Sequence, residues 1–131
     1  MLARAVLVIG AVAAIAFSAI WLHQSHLLSE ARRAAFAPGA TTNKAQVAHV
    51  TALFQRARAH TPDSLPAMYE ALFLFEAGQR ARAAALAGQV VRREPRNVSA
   101  WSLLGQADPP RAGEARARIL ELNPLAARGS R

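Results

Sequence analysis

The polarity of the chain changes character near residue 23. From Ala5 to Leu22 the sequence AVLVIGAVAAIAFSAIWL runs for 18 residues without a charge. As a helix rising ~1.5 Å per residue, such a run extends about 27 Å, close to the ~30 Å hydrocarbon core of a bilayer. The pattern therefore predicts one membrane-spanning helix. A cleaved signal peptide is the alternative, with Ala14-Ile15-Ala16 as its processing motif. Length and flank favour a retained anchor. Phe17 to Leu22 carry the run beyond the apolar region of a signal, and Trp21 followed by His23, Gln24, Ser25 and His26 has the composition of an interfacial belt.

Beyond residue 28 the pattern is helical and interrupted. Pro38-Gly39-Ala40-Thr41-Thr42-Asn43 gathers turn formers and separates a juxtamembrane segment with its linker, 29–43, from a domain that begins near Lys44. From Lys44 to His60, Val47, Val50, Leu53, Phe54 and Ala57 fall at helical spacing. Thr61-Pro62-Asp63-Ser64 ends that helix and supplies caps for the next, which runs from Leu65 to Ala77. Gly78 is placed to terminate it in the left-handed conformation. A third helix follows from Arg80 to Arg93, in which Ala81, Ala84, Ala85 and Gly88 would permit a neighbour to approach closely. Asn97 caps a short fourth helix, Val98 to Gln106, and Asp108-Pro109-Pro110 opens a last one reaching about Leu122. The expected fold is all-α: an N-terminal anchor with its interfacial flank (1–28), the linker, a small antiparallel domain of about five helices (44–125) and a disordered tail (126–131).

The prolines add a longer period. Pro62 and Pro95 are 33 residues apart, and Pro124 follows 29 residues later. Within the second interval Trp101, Leu104 and Gly105 spell W-x2-L-G. This resembles the first helix of a tetratricopeptide repeat, with Pro95 where the preceding repeat ends. On that resemblance Gly78 occupies the turn between paired helices, Ala83 the small packing position, and Val90 and Val91 the closing apolar positions. Arg118 to Pro124 is similar to the end of a repeat. The resemblance implies that Trp101 and Leu104 fill the space between paired helices and that Gly105 lets a second helix come near. The chain departs from the pattern at Asp108, where the motif has Tyr, and at Ala87, where a large aromatic is usual. An ordinary bundle of five short helices is the alternative.

Composition removes several functions and adds one question. No cysteine is present, and the four histidines form no H-E-x-x-H pair. His23 and His26 lack companion ligands, Gly39-Ala40-Thr41-Thr42 lacks the ending of a phosphate loop, and the eight acidic residues are scattered. No catalytic residue, metal or cofactor is therefore expected. Sixteen Lys and Arg against those eight acids give a net charge of +8. Arg80, Arg82, Arg92, Arg93 and Arg96 crowd the third helix and are candidates for contact with an anion or lipid headgroup. Nucleic acid is not expected, because no aromatic platform is interleaved with them.

These features predict a membrane-tethered adaptor or scaffold of tetratricopeptide type, not an enzyme, which binds a protein partner, including an integral membrane protein, beside membrane lipid. The alternative is an accessory subunit that binds through its membrane helix, where Gly10, Ala14 and Ser18 recur every four residues as a small-residue stripe. Arg4 precedes the apolar run and seven uncharged residues, His23 to Ser29, follow it, counting histidine as neutral. That layout favours a cytoplasmic N-terminus and an exported helical domain, although Arg32 and Arg33 weigh the other way in a count of positive charge.

Overall fold

The computed structural model describes residues 25–124, and every regular element among them is helical. They are α1 (25–35), α2 (Lys44–His60), α3 (Leu65–Glu76), α4 (Arg80–Arg93), α5 (Val98–Ala107) and α6 (Ala112–Leu122). Local chemistry sets each boundary. Asn43 Oδ1 accepts the Ala45 N–H at 2.9 Å and starts α2. Thr61, ahead of Pro62, is extended and ends it. Pro66 sits in the first turn of α3, where its missing N–H costs nothing. The cap of α3 falls one residue earlier than Ser64: Asp63 Oδ1 accepts the Leu65 N–H at 3.2 Å. The Ser64 side chain is buried and instead hydrogen-bonds Glu94 at the end of α4.

Gly78 closes α3 with φ +74°. Its N–H donates to the Phe75 carbonyl at 3.0 Å and the Gln79 N–H donates to the Leu74 carbonyl at 2.8 Å. This paired closure satisfies two terminal carbonyls and turns the chain directly into α4. Asn97 Oδ1 accepts the Ala100 N–H at 3.0 Å and starts α5. Asp108 makes no side-chain cap; Pro109–Arg111 form a single 3-10 turn, so α6 begins at Ala112.

From α2 onward each helix packs on its neighbours in sequence, with a smaller contact between α3 and α5. No Cα of α4 comes within 8 Å of one in α6. The close neighbour expected along Ala81 and Ala85 is thus absent among the described residues, and both are exposed. The small residues that α4 does bury are Ala83, Ala87 and Gly88. One apolar core threads the stack, with Phe54, Leu74, Leu104, Val50 and Val90 fully enclosed. Phe54 and Phe73 meet at 6.4 Å between ring centroids, inclined at 44°. Ala31 of α1 and Ala40 of the following turn belong to the same core. Buried Glu70 on α3 accepts from Arg58 Nη1 on α2 at 2.9 Å, which supplies the partner that an enclosed carboxylate requires. Thr51 Oγ1 is buried with no hydrogen-bond partner among the described residues.

None of the described helices is long and apolar enough to cross a membrane. The predicted span at 5–22 and its stripe of Gly10, Ala14 and Ser18 lie outside the described residues, as does the tail beyond Pro124.

Candidate partner-binding groove

α3 has the sequence LPAMYEALFLFE and is apolar on more than one face. Ala67, Ala71, Phe73 and Leu74 turn inward with Glu70. A helix apolar all round needs cover on every side, and α3 lacks it on one. Leu65 and Leu72 are 44% and 38% exposed, and Met68, Tyr69 and Phe75 on the same stripe are only partly covered. Across from them stand Val98 and Leu103 of α5, with Ser99, Ser102 and Gln106 forming a polar border. The two helices touch little, so a groove of about 620 Å³ remains between them. It continues past Leu72 and Tyr69 into a hollow of about 350 Å³ bordered by Phe36, which is 67% exposed. Two guanidiniums stand on its aromatic residues: Arg32 of α1 lies 4.7 Å from the Tyr69 ring centroid and Arg80 of α4 lies 5.6 Å from that of Phe75.

The residues singled out for packing lie behind this groove. Trp101 is 7% exposed, and its Nε1–H donates to the Pro95 carbonyl at 2.9 Å, so the ring bridges α5 to the proline turn before it. Leu104 and Ala83 are enclosed in the core. A β-carbon on Gly105 would stand 2.9 Å from the β-carbon of Ala115, so α6 rests directly against the α5 backbone at that point. Gly78 makes the α3–α4 turn already described.

The five arginines do not form one patch. α4 carries Arg80 and Arg82 at one end and Arg92 and Arg93 at the other, about 18 Å away at ~1.5 Å per residue. Arg80 covers Phe75, Arg82 donates to Gln79, and Arg96 is exposed in the following turn. Arg92 and Arg93 line a hollow with Arg58 near Ser64. Arg92 also lines a second cleft along α4, which it shares with Arg111, a residue outside the sequence cluster. Arg111 is held by Glu114, whose Oε2 and Oε1 accept from Nε and Nη2 at 2.8 and 3.0 Å. This bidentate pairing lowers the Glu114 pKa below the ordinary carboxylate value and raises that of Arg111. Among the described residues no group of His, Cys, Asp and Glu is arranged to hold a metal ion.

Compared with protein families, curated proteins and solved structures, the chain matches none.

Proposed function

We propose that the chain is a membrane-tethered helical adaptor of tetratricopeptide type, which seats an apolar segment of a protein partner in the groove between α3 and α5. The observation that carries the reading is the uncovered apolar stripe of α3, Leu65, Met68, Leu72 and Phe75, facing a second helix across an open trough. An open apolar stripe with a polar border supports a docking site. The tetratricopeptide reading is supported by the pairing of consecutive helices, by the Gly78 turn and by the approach of α6 to Gly105. The 18-residue apolar run at 5–22 supports the tether. Arg4 before the run and the uncharged stretch from His23 to Ser29 after it support a cytoplasmic N-terminus with the helical domain on the extracytoplasmic side. The partner is then a protein in, or held beside, the same membrane.

Co-purification of the full chain from detergent-solubilised membranes tests this. Leu72→Glu places a charge in the exposed groove, whereas Gly10→Leu with Ala14→Leu fills the membrane stripe. The adaptor reading requires the partner to be lost with the first change and retained with the second. The opposite result transfers the function to the membrane helix and makes the chain an accessory subunit.

A further inference from the structure

On the other side of α5, α4 and α6 stand apart, and a cleft between α4, the end of α5 and the Pro109–Arg111 turn is lined by Ala84, Gly88, Leu104, Asp108 and two arginines. The position that a β-carbon on Gly88 would occupy lies 3.6 Å from Arg92 Nη1 and 3.9 Å from Arg111 Nη1, with no other heavy atom of a neighbouring element within 4 Å. Two cationic tips thus converge over the backbone of a buried glycine in mid-helix. Glu114 engages the Nε and Nη2 side of Arg111, which leaves Nη1 directed at Gly88. Arg92 has no carboxylate partner among the described residues.

We infer that the cleft between α4 and the Pro109–Arg111 turn binds a phosphate group, bridged between Arg92 and Arg111 above Gly88. The two nitrogens are at most about 7.5 Å apart, the sum of their distances to that common point. A phosphate edge of ~2.5 Å with charge-assisted contacts of ~2.8 Å at either end spans such a gap. Planar guanidiniums suit this bridging, because each offers a fixed fork of donors. Glycine at residue 88 keeps the space beneath the forks empty, although glycine weakens a helix interior. Asp108 in the lining and Glu114 on the far side of Arg111 are acidic and oppose an anion, which limits the affinity. The site is independent of the α3–α5 groove, since the two share no lining residue.

The same chemistry is offered by free phosphate and by a phospholipid headgroup, and one experiment separates them. The full chain in maltoside micelles is titrated with inorganic phosphate against chloride at constant ionic strength, following the Gly88 amide resonance. A saturable shift is expected, weakened at least tenfold in Arg92→Gln and in Arg111→Gln and less than twofold in Arg82→Gln. Gly88→Ala is expected to raise the melting temperature while weakening phosphate severalfold, and Asp108→Asn to strengthen it severalfold. Neither combination arises from a damaged fold. The titration is repeated in nanodiscs of phosphatidylcholine with and without phosphatidylglycerol. Saturation by phosphate in both assigns the site to a soluble phosphate; loss of the phosphate response only with the anionic lipid assigns it to a headgroup. A response that stays linear, or that survives unchanged in both arginine variants, overturns the site.

Discussion

The two troughs beside α5 form a natural pair. On one side, α3 and α5 barely touch and the space between them is walled by Leu65, Met68, Leu72 and Phe75. On the other, α4 and α6 do not touch at all, and the space between α4, α5 and the Pro109–Arg111 turn holds alanines, a glycine and two arginine tips. The topology that creates the gaps is common to both: helices stacked in sequence order leave alternate helices without full contact. What differs is side-chain size and charge. Large apolar side chains make a surface that favours dehydration by a partner, whereas small residues make a floor on which long cationic side chains lie down. The comparison teaches that backbone arrangement decides where a recess forms, and residue choice decides what it recognises.

The most damaging change is one that unseats α5, the helix common to both troughs. Trp101→Ala takes a buried indole from α5 together with its hydrogen bond to Pro95 and is expected to cost about 3–5 kcal/mol, read by thermal or denaturant unfolding of the full chain. Both troughs should fail together. A variant that melts like the parent would show that the ring is not a structural wedge. Gly105→Ala comes next. Its new methyl meets Ala115 at 2.9 Å, so a loss of about 1–3 kcal/mol is expected from overpacking, opposite in sign to the gain of up to ~1 kcal/mol in an unconstrained helix. The displacement of α6 should weaken phosphate more than it weakens the partner held by α3, which separates the two sides.

Smaller effects sharpen the contrast. Thr51→Val removes a buried hydroxyl without a partner from α2 and should stabilise by about 1 kcal/mol while changing neither trough. Glu94 supplies a pH signature. Hydrogen bonds from Ser64 and Asn97 hold its carboxyl below the ordinary value of 4.5. A depressed folded-state pKa means that the folded protein binds this proton less readily than the unfolded chain. The stabilisation is complete above pH 4.5 and fades as the pH falls through the folded-state value. Glu94→Gln should therefore flatten part of the acid slope of the melting temperature, and an unchanged slope would exclude the Ser64–Glu94 contact as its source.

Helix limits were the most legible part of the sequence, because they are local chemistry. Asn43, Gly78 and Asn97 act within a few residues of their own position, and the prolines exclude helix interiors wherever they fall. The role of Gly105 was implied by the W-x2-L-G resemblance alone, and the approach of Ala115 gives that glycine a physical reason. The groove was hidden because α3 is apolar on several faces, so its periodicity does not separate the inward stripe from the outward one. The arginines misled in the opposite direction. Nearness in sequence grouped Arg80 with Arg92, which the length of α4 keeps apart, while Arg111 entered from another element. Nothing in a local reading connects residues 92 and 111, because their meeting depends on how α5 carries the chain back past α4.

The docking of α1 has a consequence for reach. Ala31 is enclosed by the body of the molecule, and Arg32 lies across Tyr69 in the groove wall, so the helix arriving from the N-terminal side is fastened to the binding surface. On the membrane-tethered reading, only residues 23 and 24 separate the predicted span from this helix. A long leash lets a binding site sweep a hemisphere and dilutes it over that volume; a short one keeps it near one height. The effective concentration offered to a partner at that height is high, and at any other it falls towards zero. Partner choice would then depend on how far from the bilayer a candidate presents its apolar segment, as well as on the segment itself.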